Sequence, residues 1–207
     1  MLKLPGSQAI VRQVVRKLLI GTVAVLAATQ ALAADLGPSV PARLPVLAAS
    51  SPPFLSEIRL GASAQDPTGP ESGTANITGE VLSVRPWTAA VPALNFLIPR
   101  FHLGGSVNLS GRTSFGYAGL TWTYGITPIV FVEATFGGAV HNGENDPVSP
   151  NHNALGCTAL FRESGSLGFR VTPNWSVMAS VEHLSNAGLC SNNRGLTNVG
   201  VRVGYSF

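Results

Sequence analysis

The sequence predicts an all-β protein: an eight-stranded antiparallel transmembrane β-barrel preceded by a signal peptide and a short flexible segment. Three observations predict it. Apolar and polar residues alternate with a period of two along segments about as long as the ~9–11 residues a tilted strand needs to cross a bilayer. Tight turns alternate with longer polar connections, as in barrels with short periplasmic turns and long outer loops. The chain also opens on an export signal.

That signal comes first. Lys3, Arg12, Arg16 and Lys17 precede an apolar run from Leu18 to Ala28, and Ala31-Leu32-Ala33 supplies a small-x-small cleavage site, so residues 1–33 read as a secretory signal peptide. Its apolar run is too short to span a bilayer, and no later run is long enough for a transmembrane helix. The chain has thirteen basic and ten acidic residues. Four of the basic ones lie in the signal, which leaves nine arginines and no lysine against the ten acids. The exported part is therefore slightly acidic, and the basic pI of 9.2 gives no basis for nucleic-acid binding. Arginines without lysines suit fixed, hydrogen-bonded ion pairs. Residues 34–55 are rich in Pro, Ala and Ser and read as a flexible lead-in.

From Ser56 to Phe207 the chain gives eight strand-like segments: about Ser56–Ala64, Thr74–Val84, Ile98–Asn108, Arg112–Tyr124, Ile129–Val140, Gly156–Val171, Ser176–Ser185 and Leu196–Phe207. Gly125-Ile126-Thr127-Pro128 and Thr172-Pro173-Asn174-Trp175 are tight turns, whereas Gln65–Gly73, His141–Leu155 and Asn186–Gly195 are longer and polar. Two connections break the alternation: Leu109-Ser110-Gly111 is short for an outer loop, and Arg85–Leu97 is long for a periplasmic turn. In the last strand Val199, Val201, Val203, Tyr205 and Phe207 oppose a row containing Asn198 and Arg202. In the seventh, Val177, Ala179 and Val181 oppose Met178, Ser180 and Glu182. Apolar outside and polar within is the membrane-barrel pattern, with Glu182 and Arg202 packing as a lumen ion pair. A soluble lipocalin-like barrel would face its apolar rows inward. Trp87, Trp122 and Trp175 fall near strand ends as interfacial anchors.

Cys157 and Cys190 lie nearly equidistant from the turn at Thr172–Trp175. In an exported chain they are expected to form a disulfide at one end of that hairpin. His102, His141 and His152 lack a paired metal-ligand spacing, so no metal site is expected. Glu144 and Asp146 read as solubilising loop carboxylates rather than a calcium site.

His183 and Ser185 are two apart at the outer end of the seventh strand. They share a face, and it is the lipid-facing row of Val177, Ala179 and Val181. A titratable residue facing lipid is costly and by default a functional hypothesis. An imidazole beside a hydroxyl can activate it as a nucleophile. The molecule such a site would meet at the outer leaflet is lipopolysaccharide, whose lipid A carries ester-linked acyl chains.

The segment His183-Leu184-Ser185-Asn186-Ala187-Gly188-Leu189, followed by Asn193, Gly195-Leu196 and the final strand, resembles the active-site segment of the lipid A 3-O-deacylases of the outer membrane. Gly104-Gly105-Ser106, Thr113-Ser114-Phe115-Gly116-Tyr117 and His141-Asn142-Gly143 resemble the acyloxyacyl hydrolase group of that family. The resemblance spans about Ser56 to Phe207. It implies a bacterial outer-membrane location, lipid A as partner and substrate, and no cofactor. Ser185 would be the nucleophile, His183 the general base, and Asn186 with a backbone N–H near Ala187 or Gly188 the oxyanion donors. Gly188 would let the backbone come close. The family's third member is a Glu fourteen residues after the His, and that position is Thr197 here. Glu163 on the neighbouring strand, or Asn198 if the strand is bulged, would be the substitute.

Two functions follow from these residues. One is a serine esterase hydrolysing an acyl ester of lipid A. The other is a catalytically silent barrel with a structural or lipid-A-binding role, which the replacement of the acid by Thr197 favours. A homodimer is carried as a candidate partner arrangement.

Overall fold

The structure, a computed structural model, describes residues 54–207. The signal peptide expected at residues 1–33, and the expected lead-in at residues 34–55 up to residue 53, lie outside the described residues. Eight strands follow: β1 Leu55–Gln65, β2 Thr74–Ser83, β3 Arg100–Asn108, β4 Phe115–Gly125, β5 Val130–His141, β6 Ala159–Arg170, β7 Trp175–Ser185 and β8 Leu196–Ser206. Each pairs antiparallel with the next, and β8 pairs with β1, so the sheet closes and has no free edge.

Alternation along each strand sets the two surfaces. On β7, residues Ser176, Met178, Ser180, Glu182 and Leu184 are buried, while Trp175, Val177, Ala179 and Val181 face outward. Val177, Ala179 and Val181 stand opposite Val203, Val201 and Val199 of β8, so aliphatic pairs continue across the outer wall. Leu60, Leu103 and Val201 are 70%, 61% and 56% exposed. In water such a continuous apolar surface would drive association, whereas hydrocarbon is its natural solvent. A soluble barrel with the opposite sidedness is excluded. Trp87, Trp175 and Tyr124 are exposed at the periplasmic end, at the level where aromatic belts form.

The interior divides into two halves. Toward the outer end Phe115, Leu160, Leu184 and Leu196 pack with Leu155. Leu155 comes from the β5–β6 connection, which folds into the mouth as a plug. Toward the periplasmic end Arg59 donates to Glu57 at 2.7 Å, Glu80 at 3.1 Å and both oxygens of Glu133 at 2.6 and 2.8 Å. Arg100 donates to Glu57 at 2.7 Å. Farther out, level with Leu184, Arg162 bonds Glu182 at 2.6 Å, with its guanidinium 3.7 Å above the Tyr117 ring. Arg202 lies 3.4 Å from Glu182 and 3.9 Å from Glu80. Four arginines thus meet four glutamates, and the lumen charge cancels.

Turn chemistry explains the connections. The Thr127 hydroxyl accepts from the N–H groups of Ile129 and Val130, and Thr172 accepts from Asn174 and Trp175, closing the two periplasmic turns in the same way. The long β2–β3 connection contains a 3₁₀ helix, Pro92–Leu97. It folds against β4, where Phe96 packs edge-on to Tyr124 and the Trp122 indole donates to the Leu97 carbonyl at 3.2 Å. At the outer end, Glu71 is fully buried and accepts from the Thr113 N–H and hydroxyl, the Asn153 N–H and the Gln65 side chain, stitching three loops together.

Two strand starts lie three residues later than expected. β4 begins at Phe115 rather than Arg112, because the Asn108 carbonyl oxygen of the side chain accepts from the N–H groups of Ser110 and Arg112 and holds a turn there. β6 begins at Ala159 rather than Gly156. Gly156 has φ +79°, and a Cβ there would lie 1.9 Å from the Asn192 carbonyl, so this stretch packs as loop.

Candidate active site

His183 lies one residue pair from the outer end of β7, on the outward face. Its cross-strand partners are Thr197 on β8 and Glu163 on β6, so Thr197, His183 and Glu163 form one row along the outer wall. The imidazole Nδ1 sits 2.8 Å from the Thr197 hydroxyl oxygen. With Nδ1–H as the donor, Nε2 keeps the lone pair that a general base requires. Gly195 closes the other side of the ring, since a Cβ there would lie 2.7 Å from the imidazole Cε1, and its φ of +71° suits glycine.

Glu163 faces outward and, among the described residues, makes no hydrogen bond or ion pair. Its register opposite His183 places the two side chains next to each other on the outer wall, with Cβ atoms at the cross-strand spacing of about 5 Å. Asn198, by contrast, points inward and donates to Glu182 at 3.1 Å, and no bulge is present at that point of β8. It does not orient the ring.

Ser185 is the last residue of β7, on the same face as His183 and opposite Phe161. Among the described residues its hydroxyl makes no hydrogen bond, to His183 or to any other group. Catalytic hydrogen bonds commonly tighten only with substrate in place.

The loop that follows departs from the expected oxyanion arrangement. The side-chain amide of Asn186 donates to the carbonyls of Leu155 (2.8 Å) and Asn192 (2.5 Å), and its oxygen accepts from the Gly188 N–H at 2.9 Å. Asn186 is 2% exposed. Both its donor hydrogens and the Gly188 N–H are therefore spent on holding the loop. Asn186 is a scaffold residue in this structure, and neither it nor Gly188 offers a free donor. The N–H of Ala187, a non-glycine residue at φ +53°, has no acceptor among the described residues. Of the two backbone donors the resemblance implies, near Ala187 or Gly188, the structure leaves that of Ala187 free, because the Asn186 side chain takes the Gly188 N–H.

Cys157 and Cys190 are bridged, with Cα atoms 6.0 Å apart, tying the β5–β6 connection to the loop after Ser185. Beside the bridge, the His141 ring bonds the Cys157 carbonyl at 2.6 Å. Glu144 accepts from the Ser149 N–H and hydroxyl at 2.9 and 2.6 Å, and these bonds hold its carboxyl below the usual value of 4.5. Asp146 accepts from the Asn192 side chain at 3.1 Å. The two carboxylates thus order the loop around the plug.

A family profile described as lipid A 3-O-deacylase (PagL) matches residues 100–206. Among solved structures, the chain is similar to that of the outer membrane enzyme PagL, at 14% identity and TM-score 0.58, covering 73% of this chain and 100% of that one. It is also similar to a de novo designed transmembrane β-barrel (15%, TM-score 0.48, covering 75% and 98%). A third similarity is to the N-terminal barrel domain of OprF from Pseudomonas aeruginosa (13%, TM-score 0.47, covering 74% and 99%). No curated protein sequence matches the chain.

Proposed function

Since this chain belongs to the lipid A 3-O-deacylase (PagL) family of bacterial outer-membrane β-barrels, we propose that it hydrolyses an ester-linked acyl chain of lipid A, with Ser185 as nucleophile and His183 as general base. The observation that carries this reading is the row on the outer wall. An imidazole with its Nδ1 held by Thr197 stands two residues from a free hydroxyl, at the outer rim and facing lipid.

Ser185 Oγ attacks the ester carbonyl while His183 Nε2 takes its proton. The resulting oxyanion lies at the start of the loop, where the Ala187 N–H is available; one such donor is typically worth about 3 kcal/mol in the barrier. As the intermediate collapses, His183 returns the proton to the departing sugar oxygen. Water then cleaves the acyl-serine by the same route in reverse, with His183 again as base. Glu163 and Thr197 divide the work of the family's Glu: the hydroxyl fixes the tautomer, and the carboxylate across the strand stabilises the imidazolium.

The experiment is mass spectrometry of lipid A from cells expressing the wild type, Ser185→Ala or His183→Ala. Wild type is expected to remove one acyl chain, and both variants to leave lipid A intact while still folding as barrels. Identical spectra with and without the wild-type protein would reject hydrolysis. They would leave the second reading, a silent lipid-A-binding barrel, which the uncharged Thr197 favours.

A further inference from the structure

We infer that the periplasmic mouth of the barrel is a binding site for a phosphate group, independent of the chemistry on the outer wall. A cavity of about 160 Å³ opens there, lined by Arg59, Arg85, Arg100 and Arg170 with Glu57 as its one acidic residue. Arg59 and Arg100 belong to the neutral network of four arginines and four glutamates already described. Arg85 and Arg170 do not. Among the described residues neither meets a carboxylate: Arg85 donates through Nε to the Ile98 carbonyl at 3.2 Å, and Arg170 through Nη1 to the Pro128 carbonyl at 3.2 Å.

These backbone contacts aim the two side chains without neutralising them. Arg170 also lies with its guanidinium carbon 4.8 Å from the centre of the Phe131 ring, a lining residue of the same cavity. Each guanidinium has donors left over, and burial and the neighbouring Arg100 both depress Arg85 below its usual value. A cavity with two surplus positive charges, planar donors and a single carboxylate already held by Arg59 and Arg100 suits an anion carrying several acceptor oxygens and about −1.5 to −2 charge, which describes a phosphate monoester or inorganic phosphate. The polar lining of Thr123, Asn174 and Ser206 adds further hydrogen-bonding groups. Two sources hold such a phosphate, the periplasm and the head group of a lipid in the inner leaflet.

The test uses the full barrel in detergent and isothermal titration with inorganic phosphate at neutral pH and low salt. The wild type is expected to bind. The double variant Arg85→Gln, Arg170→Gln should bind at least about tenfold more weakly, as expected for lost charge-assisted bonds. A control variant, Arg112→Gln with Arg194→Gln, removes the same charge from the opposite mouth and should bind like wild type. Repeating the titration in nanodiscs identifies the source: competition by phosphatidic acid, a monoester, but not phosphatidylcholine indicates a lipid head group, and no competition by either indicates a soluble phosphate. Absence of binding by the wild type at millimolar phosphate, or equal loss in the control, overturns the inference. Lipid A hydrolysis is assayed on the other face, so either reading can fail alone.

Discussion

Thr197 stands fourteen residues after His183, bonded to its Nδ1, in the place where the resemblance leads one to expect an acid. A hydroxyl orients the ring but carries no charge, and in serine-protease triads losing the charge costs about 10⁴ in turnover. Glu163 offers that charge from the opposite neighbour. Glu163→Gln is therefore expected to lower kcat on lipid A roughly fivefold with the barrel intact, the scale of an opposite-charge cross-strand pair. Placing Thr197→Glu in that background should restore activity, measured by single-turnover release of the acyl chain. No rescue would mean that Glu163 acts otherwise than through the imidazole.

At the scale of elements, the loops around the site form one unit. The Cys157–Cys190 bridge closes 33 residues of chain, worth about 4 kcal/mol in the chain-entropy account. Replacing both cysteines with Ser should lower unfolding stability by about that amount, read by urea titration in micelles. It should also slow hydrolysis, because Asn186 is anchored to Leu155 on the far side of the bridge. Glu144 adds a pH dependence. Its depressed carboxyl contributes order above its ordinary value of 4.5, and that contribution is lost as pH falls through the lowered one. The protection of the Ser149 amide against hydrogen exchange, taken relative to the intrinsic rate at each pH, is expected to fall in that acid range and to be unchanged between pH 6 and 8.

What could be read in advance follows the same division. Strand faces on β7 and β8 were legible, because burial on one side writes a period of two directly into Val177 to Glu182 and Val199 to Phe207. The His183–Ser185 pair was legible for the same reason. The starts of β4 and β6 were not, since they depend on side-chain bonds from Asn108 and on packing between Gly156 and Asn192, contacts that leave no local pattern. The occupied amide of Asn186 was hidden likewise. The register that sets Glu163 opposite His183 depended on how the Thr172 turn closes, which composition leaves open.

For the whole molecule, the decisive feature is how the interior is filled. Glu133 accepts both arms of Arg59 at full burial, and Arg100 lies 3.6 Å away. Glu133→Gln should destabilise the barrel by about 3–5 kcal/mol, because removing one partner strands a buried charge. The midpoint of urea unfolding in lipid vesicles checks this. Leu155 and its neighbours seal one end of the lumen, and matched salt bridges occupy the other. With eight strands and side chains filling the lumen at both ends, the barrel is expected to act as an electrical insulator, so that a cell can display many copies on its surface without becoming leaky to ions or drugs.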